Sequence, residues 1–357
     1  MDQWLGNHCD LGQLEQETNL SKLMNTINSH NSWSPLKEVW LGDVYPTHFY
    51  DHLAPEIRDV FQEITEITKH DLALIHQKLE SFGITVCRPE YKNIEDHCDP
   101  WNPERLLKPE ITPRDHYIVI GNTLYQHGPH VSNYTKYNPW NRALNSYNKN
   151  NIVNHKWPIN GANVVRLGKD LIIDTAFDSN KQQEIINHLT NYHCQFVHNG
   201  GHLDGCFAVL KPGFLLASNY YEDYDRHFPN WKKIILRTPE FGQDKQHRKV
   251  KRESGKWWKL ESGPTPKAFN QYVQNYALNW IGDYAETYFE INCLVIDENN
   301  VLVLGNNSAV FDYLESIEMT VHQLDFRART FWDGGLHCLT VDIHRDSQLE
   351  DYSLRKY

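Results

Sequence analysis

One local pattern recurs along the chain: two short apolar runs joined by a tight turn, then a helical stretch, then another apolar run. Residues 116–124 (HYIVIGNTL) and 163–174 (NVVRLGKDLIID) read as strands or hairpins, 206–218 (CFAVLKPGFLLAS) as a hairpin about Lys-Pro-Gly, and 292–305 (NCLVIDENNVLVLG) as another about Asp-Glu-Asn-Asn. Helical periodicity follows at 182–189 before the run 194–197, and at 308–317 before 320–326. Near the start, a strand at 34–42 precedes a helix over 54–83, marked by the spacing of Ile57, Val60, Phe61, Ile64, Ile67, Leu72, Leu74, Ile75 and Leu79, and a strand at 84–87. No fixed sequence period relates these units. Pairs of short strands alternating with single helices predict α/β modules of two or three strands and one helix, not long parallel βαβ crossovers.

The chain has 357 residues, long for one domain but within the range of closed α/β architectures. Its 11 Trp and 19 Tyr supply the core of a folded protein and argue against disorder. A net charge of −11 disfavours general nucleic-acid binding, which requires a basic surface. There is no run of 18 apolar residues, and MDQWLGNHCDLGQLEQE lacks the basic and apolar regions of a secretory leader, so the expectation is a soluble cytoplasmic protein. The seven cysteines, at 9, 87, 98, 194, 206, 293 and 338, form no CxxC pair and are expected as reduced thiols. Cys87, Cys206 and Cys293 lie in apolar runs and read as core.

The organisation expected is a polar arm at 1–31, one catalytic domain at 32–346 and a tail at 347–357. Two segments within the domain break its pattern. Residues 127–157, rich in Asn, Tyr and His, read as a long ordered loop. An insertion at 241–265 carries the basic run DKQHRKVKRESGKWWK (244–259), which fits either a solvated surface loop or a contact for a phosphate-bearing or acidic partner.

Potential chemistry concentrates in HCQFVHNGGHLDGC (193–206). His198 and His202 have the i, i+4 spacing of a helical metal pair, but Asn199-Gly200-Gly201 between them opposes a helix, so no metal is expected. His202-Leu203-Asp204 reads as strand, which would point imidazole and carboxylate to one face. Such a pair either satisfies itself or faces a ligand. Asp115 follows Thr112-Pro113-Arg114 just before the strand at 116–124. Cys338, in GGLHCLTVDIHRD (334–346), is either a small buried hydrophobe closing the last strand or a nucleophile.

The blocks NSWSPLKEVWLG, TPRDHYIVIGNTL, NGANVVRLGKDLI, HLDGCFAVLKPGFLLAS, EINCLVIDENNVLVLGNN and GGLHCLTVDIHRD resemble, in order and approximate spacing, those of the arginine amidinotransferases. That family lies within the guanidino-group-modifying superfamily of arginine deiminase, and the resemblance runs from about Trp33 to about Arg345. It implies an α/β five-bladed propeller (pentein) of ββαβ-type modules around a central active-site channel. It also implies a cofactor-free enzyme that moves the amidino group of L-arginine to an amine by ping-pong chemistry.

In that likeness Cys338 is the nucleophile, His202 the general acid and base, and Asp115 and Asp204 the carboxylates that hold the guanidinium. Arg114, Asn292 and Tyr221 are implied as further substrate contacts. The chemistry is coherent, because carboxylates grip a planar guanidinium in a fixed fork and leave its carbon open to attack. The partners implied are small molecules, with neither membrane nor nucleic acid, and a homodimer is allowed.

Two positions depart from the family. Asn160 stands where the family carries the acid that orients the catalytic histidine; it can accept a hydrogen bond from imidazole but cannot offset imidazolium charge. Tyr220-Tyr221 stands where glycine amidinotransferase places an arginine for a substrate carboxylate. The alternatives are an arginine hydrolase of the same superfamily, a catalytically impaired binding homologue, and a Cys-His-Asn thiol hydrolase built on Cys338, His202 and Asn160.

Overall fold

A computed structural model describes residues 25–99, 102–127, 137–157, 159–175, 178–198, 202–219, 221, 223–236, 265–280, 289–332 and 334–352. The basic run 244–259 lies outside them. Five three-stranded sheets and one two-stranded ribbon make up the described β-structure. In chain order the strands are β1 (Leu36–Leu41), β2 (Thr85–Cys87), the ribbon β3 (Cys98–Asp99) and β4 (Asn102–Leu106), β5 (Tyr117–Ile120), β6 (Thr123–His127) and β7 (Ile152–His155). They continue with β8 (Val164–Leu167), β9 (Asp170–Asp174), β10 (His193–Val197), β11 (Phe207–Lys211), β12 (Phe214–Ser218) and β13 (Lys232–Leu236). The last four are β14 (Leu294–Asp297), β15 (Asn300–Leu304), β16 (Thr320–Leu324) and β17 (Thr340–Arg345).

Every three-stranded sheet has the same plan. Its middle strand pairs antiparallel with one neighbour and parallel with the other, as in β8-β9-β10, β11-β12-β13 and β14-β15-β16. A tight hairpin suffices for the antiparallel step, whereas the parallel step needs a crossover, which a helix supplies. Those helices are α1 (Pro55–Ser81) between β1 and β2, α2 (Asn141–Leu144) between β6 and β7, and α3 (Ser179–His188) between β9 and β10. Then come α4 (Tyr224–His227) between β12 and β13, α5 (Lys267–Tyr276) outside the modules, and α6 (Ser308–Ser316) between β15 and β16. Each sheet is thus one ββαβ module. The first is completed from the far end of the sequence, because β17 pairs antiparallel with β1 and closes the ring.

Helix α1 forms because Val60, Phe61, Ile64, Leu72, Ile75 and Leu79 bury one stripe, while Pro55 opens it and Gly83, at φ +73°, turns the chain away. Leu74, included in the expected apolar stripe, is exposed instead. The first strands of four modules enclose one internal cavity, lined among others by Val164, Val209, Val295 and Asp342. This is the central channel of the pentein.

Inside that channel Asp342 collects three guanidinium groups. Arg114 reaches it at 2.9 Å, Arg166 at 2.6 Å and Arg345 at 2.7 Å, all with buried side chains. Burial opposes its ionisation, but Arg166, Arg345 and Arg114 overcome this and hold its carboxyl well below the usual range. Other guanidinium hydrogens go to carbonyls and one hydroxyl: Arg345 donates to the carbonyls of Ser34 and Val295, Arg166 to the Val119 carbonyl and Ser29 Oγ, and Arg114 to the His337 carbonyl. One aspartate therefore ties β17, β8, β14 and the approach to β5 together.

Three expectations about the chain's edges are corrected. Residues 25–31, assigned to a loose polar arm, are seated at the hairpin end of the channel. Asn28 N donates to Ile343 O at 2.9 Å, Ser29 N to Gly121 O at 2.8 Å, and Ser29 Oγ to Asp342 at 3.1 Å. Polar side chains here bond the ends of inner strands, so low hydrophobicity does not mean looseness. The tail from 347 is held likewise, with Lys169 N donating to Glu350 O at 2.8 Å and Tyr352 packing edge-on to Trp33 at 4.9 Å. The stretch 127–157, where described, is not one loop; it contains α2 and β7, pinned by Trp140 stacked on Trp40 at 4.5 Å and by the Tyr147 hydroxyl, which accepts from Trp40 Nε1 at 3.0 Å.

Asp342→Asn would leave three buried guanidinium groups without their anion. The expected cost is about 3–5 kcal/mol, read as a lower midpoint in urea or thermal unfolding. A variant with wild-type stability would show that the cluster is not what holds the modules together.

Candidate active site

Each inner strand is entered through a short turn, and the candidate residues other than Tyr221 lie on those five turns. Pro113–Asp115 precedes β5, Gly161–Asn163 with N-cap Asn160 precedes β8, and Leu203–Gly205 with N-cap His202 precedes β11. Turns at 289–292 and 336–339 precede β14 and β17 and carry Asn292, His337 and Cys338. Because the inner strands run side by side, their entries meet at one end of the channel. His202-Leu203-Asp204 is therefore a 3₁₀ turn, not the strand expected from its i, i+2 spacing; Leu203 and Asp204 are both buried in it.

Asn292 is fully buried and grips the cysteine by both ends of its amide. Its Oδ1 accepts from Cys338 N at 3.0 Å, and its Nδ2 lies 3.1 Å from Cys338 Sγ and 3.3 Å from the Asp204 carbonyl. The sulfur also lies 3.4 Å from Asp204 Oδ2. Gly335 makes this possible: a Cβ there would stand 2.6 Å from Asn292 Cβ and 2.8 Å from Asn292 O. The glycine serves close approach of two turns.

Asp204 is buried, and its Oδ2 also accepts from His337 Nδ1 at 2.8 Å. Burial would raise its carboxyl, but the His337 hydrogen bond, with the charges of His337, His202 and Arg114, holds it below the usual range. His337 is pushed down by burial and by Arg114, against the pull of Asp204. The other oxygen, Asp204 Oδ1, is buried with no hydrogen-bond partner, and so is Asp115 Oδ1. Asp115 Oδ2 accepts from Thr112 Oγ1 at 2.7 Å. Thr112 Cγ2 and Cys338 Cβ lie 3.2 and 3.1 Å from the point where Gly334 would carry a Cβ, so the two turns adjoin. Two buried acceptor oxygens on turns that adjoin the cysteine's call for a ligand rich in N–H donors.

Asn160 touches His202, though not as expected from sequence. Its Oδ1 accepts from Asn163 N at 3.1 Å, capping the turn, so its Nδ2 faces His202 Nε2 at 3.2 Å. The amide donates instead of accepting. A ring nitrogen facing an amide N–H must be the acceptor, which assigns the His202 hydrogen to Nδ1 from the network.

Two further expectations change. Arg114, expected to contact substrate, is committed to Asp342 and to the His337 carbonyl at 2.7 Å, where it braces the cysteine's turn. Tyr221 packs against Phe207 and Tyr224 and bonds His227; none of its described contacts reaches Cys338 or Asp204. His337, Thr112 and Asp342 were missed by sequence reasoning. Their only signals were a histidine beside the cysteine, a hydroxyl three residues before Asp115, and an acid inside an apolar strand with arginine three residues on.

The fold is similar to that of solved amidinotransferases and of proteins of the guanidino-group-modifying superfamily. No family model matches the chain. Its similarities are nevertheless coherent. It is 20% identical over 397 residues to mitochondrial glycine amidinotransferase of Danio rerio, covering 92% of this chain and 85% of that protein. It is 21% identical to inosamine-phosphate amidinotransferase 1 of Streptomyces griseus, covering 91% and 99%. It is also 21% identical to L-arginine:L-lysine amidinotransferase of Pseudomonas savastanoi pv. phaseolicola, covering 91% and 96%. Among solved structures, SxtG, an amidinotransferase of Microseira wollei, superposes with a TM-score of 0.63 at 17% identity, covering 91% and 99%. Dimethylarginine dimethylaminohydrolase superposes at 0.52 and 11%, covering 86% and 99%. The resemblance is thus to the amidinotransferases within that superfamily.

If Asn160 limits His202 by offering a donor, Asn160→Asp should speed any step that needs imidazolium by about tenfold. Single-turnover rates for the two variants across pH provide the check, and an unchanged or slower Asn160→Asp enzyme would refute this account.

Proposed function

We propose that this chain is an amidinotransferase that takes the amidino group of L-arginine and passes it to an amine through an amidino-cysteine at Cys338. The observation that carries the reading is the pair of buried oxygens without a hydrogen-bond partner, Asp204 Oδ1, whose sister oxygen lies 3.4 Å from Cys338 Sγ, and Asp115 Oδ1, on a turn that adjoins the cysteine's. A guanidinium carries five N–H donors and a permanent charge, and so matches both.

Before substrate arrives, Cys338 donates its S–H to Asp204. A bound guanidinium places positive charge against the sulfur and favours thiolate, the nucleophilic form, and the thiol proton passes to His202. The sulfur attacks the guanidinium carbon, a C–S bond forms, and the C–N bond to the ornithine nitrogen breaks as that nitrogen takes a proton from His202. An acceptor amine then attacks the amidino carbon and loses a proton to His202, and the C–S bond breaks to restore thiolate. Asn292 keeps the sulfur on its trajectory, and Asn160 orients the His202 ring through its amide N–H. One nucleophile serving two amines in turn gives ping-pong kinetics.

The acceptor class is an amine, not water. We place the enzyme in the cytoplasm, where its six described cysteines, none of them in a disulfide, would stay reduced. Among the described residues no helix is long and apolar enough to cross a membrane.

Incubation with L-arginine should load one amidino group onto Cys338, visible by intact-protein mass spectrometry and lost in Cys338→Ala. Adding candidate amines should discharge it as a guanidino product. Ammonia released from arginine with no amine present would make the chain a hydrolase instead. In Asn292→Ala the loading rate should fall roughly 10- to 100-fold, from loss of hydrogen bonds that orient the thiol and its turn.

A further inference from the structure

His337, the residue before the cysteine, has no part in the steps above, yet its geometry is specific. Its Nδ1 lies 2.8 Å from Asp204 Oδ2, the oxygen that also faces Cys338 Sγ at 3.4 Å. Asp204 Oδ1 is left as the buried oxygen without a partner. The backbone of His337 is held on both sides: its carbonyl accepts from Arg114 Nε at 2.7 Å, and its N–H donates to Asn292 O at 3.2 Å.

We propose that His337 is a positioning residue for guanidinium binding: its Nδ1–H locks one oxygen of Asp204 so that the other is presented, oriented and ionised, to the substrate. The proposal rests on the amidinotransferase reading. The physical reason begins with rotation. A carboxylate turns readily about its terminal torsion, and a thiol is too weak a donor to stop it. An imidazole anchored through its own backbone does stop it. A lysine or arginine in that place would also fix Asp204, but its charge would compete with the guanidinium for the same anion. His337 donates through Nδ1–H in either protonation state, and burial and Arg114 disfavour its protonation, so it competes less than a permanent cation would. The groups facing Asp204 are His337 and Cys338 from the turn before β17, His202 from its own turn, Arg114 from the turn before β5, and the Asn292 amide. Of these, His337 makes the shortest contact with its carboxylate.

The pH dependence has a definite sign. Asp204 must be ionised to hold a guanidinium, and its depressed pKa keeps it so below the usual carboxylate range. Removing the His337 donor leaves burial less opposed, which raises that pKa and moves the acid limb of kcat/KM to higher pH.

The test compares wild type, His337→Ala and His337→Asn. The Asn side chain can place an amide N–H near the former Nδ1, whereas Ala cannot. His337→Ala should raise KM for arginine and lower kcat/KM roughly 10- to 100-fold, with the acid limb shifted upward; His337→Asn should recover most of both. The same substitutions in a Cys338→Ala background, titrated with arginine by calorimetry, read binding without chemistry. An inactive wild type would remove the functional reading, while the calorimetric comparison would still decide the role of His337. If His337→Ala does not fold, His337→Gln, whose amide cannot reach the Nδ1 position, takes its place against His337→Asn. Equal impairment of Asn and its comparator, or wild-type affinity and acid limb in His337→Ala, would overturn the proposal.

Discussion

Three arginines share one buried aspartate at the centre of this molecule, and the arrangement of the modules follows from satisfying them. Asp342 sits on the strand that closes the ring, Arg166 on β8, Arg345 three residues further along β17, and Arg114 on the turn that enters β5. Carrying three guanidinium groups out of water is costly, so each must find both its share of the anion and a set of carbonyls. The carbonyls of Ser34, Val119, Val295 and His337 are available only when the inner strands stand in their observed places. The cluster selects this packing over others, even where its net contribution to stability is modest.

The same cluster connects the scaffold to the chemistry. Arg114 bonds Asp342 with one nitrogen and the His337 carbonyl with another, so the turn bearing Cys338 is braced by the structural core. From there the order propagates outward: His337 holds Asp204, Asn292 holds the thiol, and Gly335 lets those turns approach. Reactive groups carried on turns gain precision when those turns are clamped to rigid strands. Five modules, each contributing an entry turn at one end of a channel, bring residues from positions 115 to 338 together without any long loop.

Much of this was legible in the sequence because module structure is local. Tight hairpins, helical spacing and the strand near each break are set within about ten residues, and 182–189 or 308–317 fell close to the observed helices. What was not legible depends on distant residues. Nothing near residues 25–31 shows that their polar groups bond the far ends of β17, β5 and β8. Nothing near Arg114 shows that its charge is claimed by Asp342 in place of substrate. The i, i+2 spacing of His202 and Asp204 suited a strand, and only the entry turn shared by all the inner strands explains why it is a 3₁₀ turn.

Asn160 shows how one substitution can be read wrongly from composition and correctly from connectivity. As an isolated residue, asparagine beside histidine is a weaker version of aspartate, an acceptor without charge. Within its turn the amide oxygen is already spent on Asn163 N, so only the NH₂ remains for the imidazole. A carboxylate in the same place could cap the turn with one oxygen and accept from the ring with the other. Asparagine can do only the first, and it turns the second contact into a donor. The difference from an acid at this position is then a reversal of hydrogen-bond polarity as well as a lost charge, and it falls on the nitrogen that a general base would use.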